Sequence, residues 1–194
     1  MIPGFSLANQ ITLSRLALGP IFLIAYLSNW SYPVEGALIT AILIEATDVA
    51  DGITARSRKQ VSDVGKLLDP MSDSIARLSY YIGFLVMGFA SAWMVALLVY
   101  RDVVVSYLRV FVALTGTAMG RRTSGKWKGI LQGATALTVL GLQFIHTRFY
   151  PIPYFNQIVY GLLVFVTLYT AFTLVEYLRA NKELLLEIRR RGRA

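Results

Sequence analysis

The chain has 194 residues, of which 56% are apolar and only 15% charged, and its mean hydropathy is +0.57. That balance excludes a soluble globular domain of this size and points to a polytopic membrane protein. The absence of cysteine removes disulfides, thiol nucleophiles and Cys-ligated metal sites, and a single histidine argues against a His-rich metal centre; the net charge of +8 fits cytoplasmic loops facing anionic lipid better than a nucleic-acid partner.

Six segments are long enough, or nearly so, to cross about 30 Å of hydrocarbon as helices. They fall at Leu7–Leu27, Pro33–Arg56, Pro70–Phe89, Ala92–Leu114, Gly129–His146 and Tyr154–Tyr177. The fold class expected is therefore all-α integral membrane, with residues 1–178 as one membrane domain and 179–194 as a basic tail. No basic n-region precedes the first apolar run, which carries Arg15, so no cleavable secretory signal is expected. Basic residues gather in alternate connections: Arg56, Arg58, Lys59 and Lys66; then Arg121, Arg122, Lys126 and Lys128; then the run from Arg179 to Arg193. The opposite loops hold only Arg148, which places both termini in the cytoplasm.

Along helix 1, Asn9, Thr12 and Arg15 recur at helical spacing, and Arg15 is either a snorkelling residue or one facing a polar interior. Asn29-Trp30-Ser31 has the form of a glycosylation acceptor but lies too close to the membrane to serve as one. Helix 2 is unusual: its apolar run ends in Glu45, Asp48 and Asp51. Asp48 and Asp51 are three apart, and Asp69 and Asp73 four apart, so in helices each pair shares a face with Cβ atoms about 5–6 Å apart. Carboxylates this dense repel one another unless cations neutralise them. Salt bridges to Arg15 or Arg77 would account for one aspartate but poorly for four, whereas carboxylates from two helices can hold two divalent metals about 3.5–4 Å apart. Gly52 and Ala55 extend the aspartate stripe and, with Arg56 following, leave room for a nucleotide diphosphate. Gly65 reads as a turn residue, and Asp69-Pro70 as an N-cap followed by proline at the first position of helix 3.

Helix 4 carries Arg101 and Arg109, eight apart and nearly aligned, with Asp102 beside the first. Asp102 could satisfy one of them; a phosphate-bearing substrate could satisfy both. The next loop contains Gly120-x-x-x-x-Gly125-Lys126, which is not a P-loop because Trp127 replaces the required Ser or Thr and no strand precedes it. Its Lys126 and Lys128 can close over an anion or simply set topology. In helix 5, Gly129-x-x-x-Gly133 is compatible with close helix packing or with dimerisation. His146 reads as an interfacial residue without partners, and Trp93, Tyr150 and Tyr154 as an outer aromatic belt.

The stretch Asp48-x-x-Asp51-Gly52-x-x-Ala55-Arg56, then eight residues, then Gly65-x-x-x-Asp69-x-x-x-Asp73, resembles in full the signature of the CDP-alcohol phosphotransferase family. Asn9-x-x-Thr12-x-x-Arg15, Arg101-Asp102 with Arg109, and Gly125-Lys126-x-Lys128 are most similar to its bacterial phosphatidylglycerophosphate synthases, although those usually read Pro-x-Ala-Asp-Lys where this chain places Ser72 and Ser74 around Asp73. The resemblance implies transfer of a phosphatidyl group from CDP-diacylglycerol to glycerol 3-phosphate with release of CMP. It implies that Asp48, Asp51, Asp69 and Asp73 hold two Mg²⁺ or Mn²⁺ ions, that Asp73 is also the base, and that Gly52, Ala55, Arg56 and Gly65 shape the CDP site. Arg109, Arg101 and Lys126 would take the acceptor's phosphate. It further implies a homodimer among membrane lipids, a bacterial-type cytoplasmic membrane and an active site open to the cytosol. Inositol 1-phosphate is an alternative acceptor. A divalent-cation transporter is the alternative of a different class, but it would want acidic residues near the midplane rather than beside Arg56.

Overall fold

A computed structural model describes residues 7–58, 63–114 and 123–182, with side chains over 13–50, 70–112 and 123–182. The described residues form six helices and no strand: α1 (Leu7–Leu27), α2 (Pro33–Arg58), α3 (Asp63–Val86), α4 (Ala92–Leu114), α5 (Thr123–Arg148) and α6 (Phe155–Ala180). α1 packs on α2 and α3, α5 joins α2 to α6, and α4 closes the circuit between α3 and α6. A direct contact of α3 with α5 crosses the middle of the bundle.

The first three helices lock through aromatic side chains. Phe22 and Tyr26 of α1 lie one turn apart and meet Tyr80 and Phe84, likewise one turn apart on α3. Phe22 meets Tyr80 edge-on at 5.0 Å between ring centres, and Tyr26 meets Phe84 at 6.1 Å. Gly83 makes this approach possible, since a methyl in its place would stand 2.8 Å from Tyr26 Cδ1. The core continues through Met94 and Leu98 of α4, Val139 and Leu140 of α5, and Leu163 and Val166 of α6, all at most 2% exposed.

Each helix also carries large apolar side chains outward, among them Ile24, Ile39, Val86, Tyr107, Ile130 and Phe165. Two of the helices, α5 and α6, are long and apolar enough by themselves to cross a membrane, and Leu13–Leu27 is a shorter apolar helix.

Several helix ends differ from the sequence reading, and three of the differences have a clear physical reason. α3 begins at Asp63, so Gly65 is helical rather than a turn, and Asp69 does not cap the helix because Pro70 lies inside it. A proline within a helix forfeits one backbone bond, but the packing of α3 on α1 holds the helix together. α5 begins at Thr123, six residues before the apolar run, because its polar first turns pack against the bundle and bury Lys128. α3 ends three residues before the expected Phe89. There Gly88, at φ 81°, lets Phe89 N–H reach Phe84 O at 2.8 Å and its own N–H reach Leu85 O at 3.1 Å, a glycine-terminated helix end.

At the end of the bundle remote from Asp48, Arg148 bonds Glu35 at 2.5 Å and the Ser31 carbonyl at 2.8 Å, and lies over the Tyr32 ring. His146 is not without partners. Its Nδ1 accepts the Ile152 N–H at 2.8 Å and its ring stacks on Phe155 at 4.3 Å, because the α5–α6 turn folds back over the helix end.

Candidate active site

Asp48 on α2 and Asp73 on α3 converge on one cation from α1. Arg15 is 1% exposed, and its Nη1 bonds Asp48 Oδ1 at 2.5 Å and also Asp73 Oδ1. Arg77, one turn after Asp73 on α3, adds a second guanidinium, with Nη1 3.3 Å from Asp73 Oδ2 and Nη2 3.7 Å from Asp48 Oδ2. Three helices are thus tied at one point by two acids and two bases. Asp48 keeps about a third of its side-chain surface open while Arg15 is closed over, so the cluster is reached from the carboxylate side. One turn before Asp48, Glu45 accepts the Tyr80 hydroxyl at 3.2 Å.

A second polar cluster is built on Asp102 of α4. Asp102 Oδ1 accepts Arg101 Nη1 at 2.9 Å and Lys128 Nζ of α5 at 2.7 Å. Its Oδ2 accepts the Ser74 hydroxyl of α3 at 3.0 Å. Arg101 Nε reaches Thr173 of α6 at 3.2 Å, and its guanidinium lies over the Tyr177 ring at 5.6 Å. Because Ser74 follows Asp73 directly in α3, the two clusters share one helical turn, and a displacement of Asp102 would be felt at Asp73.

Of the residues expected at the site, the structure brings Asp48 and Asp73 together. Asp51, Gly52, Ala55 and Arg56 lie along α2, and Gly65 and Asp69 along α3, with side chains outside the described residues. Arg101 is turned to Asp102 and Thr173, Arg109 is half-buried on α4, and Lys126 is exposed on α5 while its neighbour Lys128 is buried. Arg15 and Arg77 emerge as the direct partners of the aspartates. Both were offered by the sequence as salt-bridge partners of the aspartates, Arg15 as an arginine inside an apolar run and Arg77 one turn after Asp73. Gly129 and Gly133 of α5 pack within the chain: a methyl at Gly133 would stand 2.5 Å from Glu45 Oε2, and one at Gly129 would stand 3.3 Å from Arg77 Nη2.

Among the described residues no group of three or more acidic or histidine side chains is gathered for a metal. The donor chemistry nonetheless fits a hard cation. Asp48 and Asp73 are oxygen ligands from two helices, and the positive charge that now lies between them belongs to arginine.

A family model described as CDP-alcohol phosphatidyltransferase matches residues 5–173, nearly the whole chain. The chain belongs to that family. A Bacillus subtilis CDP-diacylglycerol–glycerol-3-phosphate 3-phosphatidyltransferase is 35% identical over 155 residues, 72% of this chain and 80% of the relative. A Pseudomonas fluorescens protein of the same name is 29% identical over 180 residues, 90% of this chain and 89% of its own length. A probable phosphatidylglycerophosphate synthase of Mycobacterium tuberculosis is 29% identical over 140 residues, 71% of this chain and 65% of the relative. As a CDP-alcohol phosphatidyltransferase the chain is a transferase of phospholipid synthesis, and Asp48 and Asp73 stand at the outer aspartates of the signature that marks the family.

Proposed function

We propose that this enzyme joins CDP-diacylglycerol to sn-glycerol 3-phosphate, giving phosphatidylglycerol phosphate and CMP. The convergence of Asp48 and Asp73 from separate helices on shared cations carries the reading, and the names of the relatives supply the acceptor. Asp48, Asp51, Asp69 and Asp73 would hold two Mg²⁺ or Mn²⁺ ions. When bound, such ions neutralise the diphosphate and stabilise the departing CMP. Asp73 takes the proton of the acceptor hydroxyl, whose oxygen attacks the phosphorus bearing diacylglycerol while the bond to the CMP oxygen breaks and its electron pair leaves with CMP. Arg15 orients both carboxylates from the closed side of the cluster. Gly52, Ala55, Arg56 and Gly65 line the CDP site. Arg109 and Lys126 meet the acceptor's phosphate, and Arg101, through Asp102, steadies that half of the site.

The same reading places six helices across a bacterial-type cytoplasmic membrane, residues 1–178 as its domain and 179–194 as a basic tail. The outward apolar side chains on every helix support it. Termini and active site face the cytosol, in keeping with the basic connections, and the enzyme acts as a homodimer, a state for which the resemblance is the support.

Purified protein given CDP-diacylglycerol, Mg²⁺ and a panel of acceptors should release CMP with glycerol 3-phosphate. No release with that acceptor, beside clear release with inositol 1-phosphate or another alcohol, would overturn the assignment.

A further inference from the structure

The glycines of α5 give the aspartate cluster a second wall. Gly129 and Gly133 are one turn apart on one face of the helix. Arg77 from α3 lies against the first and Glu45 from α2 against the second, so closely that a methyl at Gly133 would come within 2.7 Å of three Glu45 carboxyl atoms. Two side chains of opposite charge therefore rest on bare α5 backbone, one turn apart.

Arg77 is the contested group. It pairs with Asp73 and Asp48, and its Nε is buried with no hydrogen-bond partner among the described residues. Glu45 rests one turn further along the same face of α5, against Gly133. Any divalent cation that binds Asp48 and Asp73 meets Arg77 as a competitor for the same oxygens, and like charges at this range in a closed site repel strongly. A carboxylate close to Arg77 offsets its charge. A carboxylate fixed by a glycine notch and by the Tyr80 hydroxyl does so from a constant position.

We propose that Glu45 is a positioning residue: seated in the Gly133 notch, it offsets the charge that Arg77 presents to Asp48 and Asp73 and so sets the affinity of the site for a divalent cation. This rests on the cation reading above. It adds a role for Glu45 and Arg77, neither of which belongs to the aspartate signature.

The test is Mn²⁺ binding to the full chain in detergent, read as the electron paramagnetic resonance signal of free Mn²⁺, with the melting temperature followed alongside. Glu45→Gln should bind Mn²⁺ about 10-fold more weakly than wild type, the size of effect that partners behind a metal ligand produce, and Arg77→Gln should bind it more tightly. In the Arg77→Gln background Glu45→Gln should change the affinity by less than about 2-fold, because the charge it offsets is gone. Gly133→Ala, which pushes the same carboxylate out of its notch, should weaken binding in the wild-type background and not in Arg77→Gln, and it carries the test if Glu45→Gln does not fold. Unchanged affinity in folded Glu45→Gln, or equal weakening with and without Arg77, overturns the role of Glu45 alone. Wild-type protein that binds no Mn²⁺ overturns the cation reading together with it.

Discussion

Asp102→Asn should cost the fold more than any other single charge removal in the α4–α5–α6 half of the bundle. Asp102, Arg101 and Lys128 each show less than a tenth of their side-chain surface. Both cations bond the same oxygen, at 2.9 and 2.7 Å, so they stand at most about 5.6 Å apart and repel by about 3 kcal/mol at an effective dielectric of ~20. With the carboxylate in place that repulsion is more than offset. With asparagine it is not, and the loss falls in the range of about 3–5 kcal/mol typical of a broken buried ion pair. The single amide oxygen of asparagine can serve Ser74 or the two cations but not both, so the loss combines the removed charge with at least one hydrogen bond. Thermal unfolding in detergent is the assay, and a fall of about 10 °C is expected for a chain of this length. Adding Lys128→Met removes one of the two stranded cations and should recover most of the loss. An Asp102→Asn protein that melts within about 2 °C of wild type, or a double variant no better than the single, would refute the argument that one carboxylate holds two buried cations.

Three further outcomes follow from other contacts. Asp73→Asn should abolish CMP release with little loss of CDP-lipid binding, and wild-type-like turnover in that variant would remove Asp73 from the role of base. Gly83→Val should destabilise the α1–α3 contact by about 1–3 kcal/mol through overpacking against Tyr26 and Phe22, seen as a lower melting temperature; a neutral result would mean that the aromatic ladder is loosely packed. Arg148→Ala should leave the melting temperature close to that of wild type despite the short bond to Glu35, because its side chain is 40% exposed and the pair is well hydrated; a large fall would refute this.

Composition and apolar run length by themselves determined six helices, because crossing hydrocarbon or filling a helical core demands long uninterrupted apolar segments. The aspartate signature was likewise legible, since acids at helical spacing in so apolar a chain have few structural uses. Helix ends were legible only in part. Pro70 and Gly65 carry strong local signals for a boundary, yet α3 runs through both, because packing against α1 outweighs a local preference of a few kcal/mol. Pairing between helices was decided by the tertiary structure alone. The order of residues offers Arg15 and Arg77 as partners for the acids and Asp102 for an arginine of α4, but does not say that Asp48 and Asp73 converge on the same Arg15, that Asp102 takes both Arg101 and Lys128, or that Lys128 is buried while Lys126 is exposed. Those choices depend on the rotation of each helix about its axis, which is set by the summed fit of side chains across the whole bundle. Gly129 and Gly133 show the difference most clearly. Their spacing announces a close approach, and only the assembled bundle reveals that what approaches is Arg77 and Glu45.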